Sequence, residues 1–570
     1  MGLTPRLPES RVASRGSRVE RAADSSLVTR DACLAHSLTV TCDSRLATRG
    51  FRWLLALLLG ALALRLALWA RAYGFEQGDP VEYVNIAYKI GFGIGIDWWD
   101  LRPLLLPVLY VPVLYLAQVW PDPSGEAMVR ALRLVSVLFS VGTVALIYLL
   151  GRRLGGELVG LAAGLLVAAN PVFNRLSVST FAEVPSTFFV VLTLWLLSSG
   201  RSPRQWLLAG LALGTACMMR YQGIAFVAPI GAWTLIRGMR NEYRGMSGLR
   251  PSSCLMPHSS FLFGLAATVL AQAALETVFY GAPFHSLLVS FDYNVTSGLA
   301  PLEFGSEPFE WYAGRVAEWF GIVPFGLALL GLPALARGPR ATQWWLPAAA
   351  AAAMFVALSA LPHKELRFMA QIAPLLALFA GQGLANIWRW LMASPHPLAP
   401  SPKLGGGGWG WGLATWRWGP VRVVWRVLAA GICAAMLMVA VGPLLWASLG
   451  LDVATNVAYS DGPKRAAALK PGGTLGTIPW FVPRPYTGSR MALERMDRKV
   501  WEDRDYVTST VERSDFLLFP EYWLLEDRYV RRLVDADYRT LESYPNGVVL
   551  LQNRRLDEPL RRRQRPEAPG

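Results

Sequence analysis

The run PLLLPVLYVPVLYLAQVW (Pro103–Trp120) decides the fold, because it is apolar enough to cross a membrane yet is interrupted by Pro103, Pro107 and Pro112. An acidic stretch with Glu76, Asp79, Glu82, Asp97 and Asp100 precedes it, and Pro121, Asp122, Pro123 and Glu126 follow. If this run crosses, every later loop carries the wrong charge for its side. Laid on the outer surface as juxtamembrane helices, it puts Arg152–Arg153, Arg201–Arg204, the basic residues of 237–250, Arg337–Arg340 and the basic residues of 389–426 all inside. Acidic Asp292, Glu303, Glu307 and Glu310 then fall outside, as the positive-inside bias requires.

Outward from that run, the first apolar stretch, Phe51 to Ala72, is bounded by Arg49 and Arg52, so the N-terminus is cytoplasmic. Eleven spans follow, near 51–73, 129–151, 156–172, 180–199, 205–220, 222–237, 260–280, 319–336, 343–361, 369–391 and 424–450. Odd parity carries everything after Leu451 to the outer side. There, short strand-like runs (Gly473 to Pro479, Asp515 to Pro520, Gly547 to Gln552) between helical stretches predict a small α/β domain. The expected organisation is an extension over 1–50, a transmembrane domain over 51–450 and an extracytoplasmic domain over 451–570. The extension is rich in Arg and Ser and lacks a secretory signal's apolar core, which reads as a disordered cytoplasmic segment or a start codon set too early. The Pro/Gly/Trp-rich segment from about 393 to 423 reads as a cytoplasmic linker.

Composition agrees with an α-helical polytopic membrane protein. The 570 residues are 53% hydrophobic and 17% charged, whereas soluble domains are roughly a quarter charged. The net charge of +15 sits in short clusters between apolar runs, which argues topology rather than nucleic-acid binding. The five cysteines (Cys33, Cys42, Cys217, Cys254, Cys433) show no metal spacing and are expected to be structural.

Charges at a membrane boundary are costly and mark candidate function. In EQGDPVEY (Glu76–Tyr83), Asp79 and Glu82 share a helical face just beyond the first span. In LPHKELRF (Leu361–Phe368), His363, Lys364, Glu365 and Arg367 crowd a short outer loop. Lys364 and Arg367 suit a phosphate at headgroup depth, Arg with a planar fork and Lys as a point charge, and His363 can donate to an oxygen. Snorkelling cations that anchor two helices are the plainer reading. The long outer loop, Phe279–Tyr312, offers Asn294, Trp311 and Tyr312 for hydrogen bonds and aromatic stacking on sugars or isoprenoid chains.

HKELRF (His363–Phe368), ETVFYG (Glu276–Gly281), Asn294-Val295 and FGSEPFEWY (Phe304–Tyr312) stand in an order that resembles the Alg9-like and GPI mannosyltransferases. Glu276 stands where members of that family more often have Asp, and Glu310 where they have an aromatic residue. Pro80 and Val81 separate two acids that the family places side by side. The stretch GDPVEY…RPLLLP also resembles the first loop of bacterial relatives that glycosylate proteins or lipid A.

The resemblance implies a GT-C fold and an inverting transfer of a sugar, mannose first, from a polyprenyl- or dolichyl-phosphate carrier to a glycan or lipid-linked acceptor. It implies no cofactor and no metal. On that reading Asp79 is the candidate base, with Glu82 and Glu183 as further carboxylates. His363, Lys364 and Arg367 then form the donor-phosphate site, to which Arg102 and Arg220 can add; Arg102, Arg220 and Glu183 read equally well as anchors or salt-bridge partners. The membrane is expected to be a bacterial inner membrane, since Arg greatly outnumbers Lys, or the endoplasmic reticulum in a eukaryote, with the site on the non-cytoplasmic side. A protein- or lipid A-directed transferase, a membrane transporter and a non-catalytic assembly subunit are the rival readings. A transporter would place its charges nearer the bilayer midplane, with broken helices or repeated halves.

Overall fold

The structure, a computed structural model, describes residues 44–74, 78–93, 100–118, 125–199, 202–245, 256–336, 340–393, 419–451, 454–455, 457–478, 482, 484–487, 491–496 and 500–557. The expected extension up to residue 43, most of the 393–423 linker, and Cys33, Cys42 and Cys254 lie outside the described residues; Cys217 and Cys433 are free and buried. The chain divides into two units, Met1–Ala56 and Leu57–Gly570. In the first, the described part is the opening of the helix Ser44–Arg71.

Helix occurs at all eleven expected span positions, from Ser44–Arg71 to Gly419–Leu449. Among the described residues, five helices are long and apolar enough to cross a bilayer, and six if one bent pair counts as a single span. Several others are shorter or broken. Glu183–Ser199 and Pro203–Met219 have 17 residues each, about 25 Å of rise, slightly less than the hydrocarbon thickness.

The bent pair shows how a broken span is tolerated in lipid. Glu157–Ala169 and Pro171–Ser177 meet at 63°, because Pro171 lacks an amide proton and starts a new helix whose N-cap, Asn170, accepts from the Phe173 amide at 2.9 Å. The carbonyls freed by the break would cost several kcal/mol each if left bare in hydrocarbon. Instead the Ala168 carbonyl accepts from Asn174 at 3.0 Å and from the buried Arg65 guanidinium at 3.4 Å, and the Ala169 carbonyl accepts from Ser448 at 2.7 Å. Elsewhere small residues set the packing. Pro203–Met219 lies against Met256–Tyr280 so closely that a Cβ on Gly210 would sit 2.0 Å from the Phe261 carbonyl oxygen, and one on Gly264 2.3 Å from that of Leu207.

Between the first two spans run the helices Asp79–Phe92 and Leu105–Gln118. The second, from the run that decides the topology, has 14 residues, about 21 Å, too short to cross. The two pack on each other through Val81, Val84, Tyr88, Leu106, Tyr110 and Leu114, over Val129 and Leu132 of the second span.

Strand β1 (Tyr73–Gly74), just after the first span, pairs in parallel with β2 (Ala454–Thr455), just after the last. That pairing sets the start of the C-terminal tail beside the start of the first loop. The tail holds a five-stranded sheet of β3 (Thr474–Thr477), β4 (Ala492–Arg495), β5 (Phe516–Pro520), β6 (Tyr538–Ser543) and β7 (Val548–Asn553), in the order β4-β3-β5-β7-β6. The three expected strand runs are β3, β5 and β7; β4 and β6 are the edges.

Asp515 pins this sheet. Its carboxylate accepts from the Thr474 amide at 3.0 Å, from Lys470 at 2.9 Å and from Arg555 at 3.0 Å. Burial alone would raise its pKa, but these donors hold it below the usual carboxylate range. A folded pKa below the unfolded value gives stability that is present above the unfolded pKa, near 4, and lost as pH falls through the folded one. Asp515→Ala is therefore expected to destabilise the tail by about 1–3 kcal/mol at neutral pH and to blunt its loss of stability below about pH 4. Limited proteolysis of the tail across pH 3–7 measures both.

Candidate active site

Five elements bring charge to one place. Asp79 and Glu82 lie in the first turn of Asp79–Phe92, and Glu183 opens Glu183–Ser199, so all three carboxylates sit at helix N-termini, where the macrodipole favours negative charge. Arg220 caps the C-terminal end of Pro203–Met219, where a cation is favoured. Arg102 precedes Leu105–Gln118, and Arg367 lies in the 3-10 turn Leu366–Gln371 after the HKE sequence.

Asp79 is the hub. Its carboxylate meets Arg102 at 2.7 Å, Arg220 at 3.3 Å and Arg367 at 3.3 Å. Glu82 pairs with Arg102. Glu183, fully buried, lies 3.1 Å from Arg220 and 3.7 Å from Arg367. Arg367 also donates to Glu365 at 2.5 Å, and His363 Nε2 is 3.1 Å from the same carboxylate oxygen. Aromatic faces complete the wall, with the Arg367 guanidinium 4.6 Å from the Phe181 ring centroid and that of Arg220 5.2 Å from Phe368.

This arrangement separates two neighbouring carboxylates electrostatically. Burial pushes both upward; at Asp79 the charges of Arg102, Arg367 and Arg220 outweigh it and hold the carboxyl far below its usual range. Glu82 stays above its usual range, because burial and the Asp79 charge together exceed what Arg102 supplies.

Of the expected site residues, the structure gathers Asp79, Glu82, Glu183, Arg102, Arg220, Arg367 and His363. Lys364 points elsewhere: its ammonium donates to the carbonyls of Glu307 at 2.9 Å and Leu361 at 2.5 Å, tying the long loop after Met256–Tyr280 to this turn. Tyr312 is buried at the edge of the site, its hydroxyl accepting from the Glu365 amide at 3.3 Å. Trp311 stacks under Arg315 at 4.6 Å, and Asn294 donates to the Ser290 carbonyl at 2.8 Å; neither joins the ion cluster.

Three contributors went unassigned at the sequence level. Glu365 was legible within HKELRF, and Phe181 stands two residues before Glu183. The third is a buried knot around Glu276, which accepts from Tyr221 at 2.8 Å, Gln272 at 2.6 Å and the Ser286 amide at 3.1 Å. Tyr221 adjoins Arg220, so the knot fastens the segment after Met256–Tyr280 beside the cluster.

The fold has solved counterparts. ArnT from Cupriavidus metallidurans bound to undecaprenyl phosphate superposes with TM-score 0.59 at 14% identity, over 88% of this chain and 97% of that one. The oligosaccharyltransferase AglB from Archaeoglobus fulgidus, in complex with an inhibitory peptide and a dolichol-phosphate, superposes with TM-score 0.53 at 14% identity, over 89% and 75%. The fold is that of the GT-C glycosyltransferases. The profile of the Alg9-like mannosyltransferase family matches residues 55–445, and the chain belongs to that family. GPI mannosyltransferase 3 of Schizosaccharomyces pombe is 23% identical over 58% of this chain and 67% of its own length. The alpha-1,2-mannosyltransferase algn-9 of Caenorhabditis elegans is 24% identical over 51% of this chain and 49% of its own length.

Proposed function

We propose that the chain transfers mannose, with inversion, from a polyprenyl- or dolichyl-phosphate donor to a glycan or lipid-linked acceptor on the non-cytoplasmic face of a bacterial inner membrane. The observation that carries this reading is the meeting of the Asp79 helix and the HKELR turn, 284 residues apart in sequence from Asp79 to His363, in one buried ion cluster. The names of the relatives support mannose, and the lipid phosphates bound by ArnT and AglB support the donor class.

In this reaction an acceptor hydroxyl attacks the anomeric carbon, its proton passes to Asp79, and the bond from that carbon to the phosphate oxygen breaks. The polyprenyl phosphate leaves with the electron pair, and Arg367, Arg220 and His363 offset the charge it gains. At rest Asp79 is a weak base, because three guanidiniums hold it. Once a phosphate shares Arg220 and Arg367, less positive charge bears on the carboxylate and its basicity rises.

A donor screen tests the proposal. Membranes holding the chain should consume labelled polyprenyl-phosphate mannose and leave sugar nucleotides untouched; the reverse result rejects it. Because guanidiniums supply the neutralising charge, transfer is expected to survive EDTA. Activity lost in the chelator and restored by magnesium or manganese would make Asp79, Glu82 and Glu183 candidate oxygen ligands instead.

A further inference from the structure

Four carboxylates hold the guanidiniums of this site, and they differ in one decisive respect. The side chains of Asp79, Glu82 and Glu183 are 10%, 7% and 0% exposed, whereas that of Glu365 is 37% exposed. Glu365 is also the carboxylate gripped by two groups from its own turn: Arg367 Nη2 at 2.5 Å and His363 Nε2 at 3.1 Å. Among the described residues, His363 Nδ1 and Arg367 Nε are buried without a hydrogen-bond partner, so both side chains keep capacity that Glu365 does not fill.

We propose that the Glu365 carboxylate occupies the seat of the donor phosphate, between His363 and Arg367, and swings outward when the donor arrives. The inference rests on the lipid-phosphate reading above and goes beyond it by locating the phosphate and naming the group it displaces. A phosphodiester donor carries one negative charge, as the Glu365 carboxylate does, so the exchange leaves the net charge of the cluster unchanged. The geometry also matches, since both anions accept in-plane donors from an Arg fork. The partly exposed Glu365 carboxylate can return to water, where solvation replaces its lost partners; the buried three have no such exit. Glu365 is thus an internal competitor for Arg367 and for His363.

This role has a sign opposite to the plain one. If Glu365 merely orients Arg367 and His363, removing its charge loosens both and weakens phosphate binding. If it holds the phosphate seat, removing its charge removes a competitor. Binding of polyprenyl phosphate, titrated into purified parent, Glu365→Gln and Glu365→Ala proteins in lipid nanodiscs, separates the two. Tightening of at least threefold in both variants is expected, with a larger KM for mannosyl donor in the presence of product. Unchanged or weakened binding in either variant that keeps the parental melting temperature overturns the proposal. If Glu365→Gln does not fold, Glu365→Ala decides; if neither folds, Glu365 is a structural carboxylate and the proposal is rejected. A parent that binds no polyprenyl phosphate at all would instead remove the donor reading on which the inference stands.

Discussion

Asp79→Asn is expected to lower turnover by roughly 10²–10⁴-fold, the usual loss when a positioned general base is removed, while donor binding persists. Asn keeps the size of the side chain but takes no proton. The structure adds a complication, because Asp79 also neutralises Arg102, Arg220 and Arg367, and truncating one member of a buried ion cluster commonly costs about 3–5 kcal/mol. Melting temperature must therefore be measured beside activity. Loss of the base lowers the rate in protein that is still folded and still binds polyprenyl phosphate. Near-parental turnover would move the base to Glu82, the neighbouring carboxylate that burial holds above its usual range, or to Glu183.

Arg367→Ala is expected to weaken polyprenyl-phosphate binding by about 10–100-fold, the scale of a charge-assisted hydrogen bond, and to slow transfer as well. A fork that grips the ground-state phosphate also stabilises the leaving group, so both readouts move. Arg367 further spans Asp79, Glu183 and Glu365, which makes Arg367→Lys the informative partner: it keeps the charge against the buried carboxylates and loses the planar fork. His363→Ala should separate the two effects, slowing transfer more than it weakens binding, if its hydrogen bond strengthens only as charge develops. Transfer and binding assays on these three variants measure this, and intact activity in Arg367→Ala and His363→Ala would return the HKELR turn to a membrane anchor.

Much of the architecture was legible because lipid leaves a chain few options. Apolar runs of span length and a Pro-broken run too short to cross give the helix positions directly. The tail was legible only in part. Strands β5 and β7 are apolar and buried along most of their length, and they stand out in sequence. The edges β4 (Ala492–Arg495) and β6 (Tyr538–Ser543) are short or carry exposed polar residues, so the sequence around them reads equally well as loop.

The site divides along similar lines. Asp79, Arg102, Arg220 and Arg367 declare themselves, because a charge beside an apolar run has few innocent explanations. Lys364 reads in sequence as a point charge for phosphate. Its ammonium is instead spent on two carbonyls of the loop connection, a backbone geometry that no side-chain pattern reports. Glu276 is the converse case: a lone acid at the end of an apolar helix proves to be a four-fold acceptor that fastens Tyr221 and Ser286. Gln272 stands one turn before it on the same helix, whereas Tyr221 and Ser286 are brought to it by the fold.

The measurement that bears most directly on the account is the fate of isotope-labelled polyprenyl-phosphate mannose in membranes that contain the parent chain, Asp79→Asn or Arg367→Ala at matched expression. The account predicts that the parent releases polyprenyl phosphate as mannose appears on an acceptor. Asp79→Asn should bind the donor without consuming it, and Arg367→Ala should do neither well. Consumption of a labelled sugar nucleotide by the parent, with the lipid donor untouched, would contradict it.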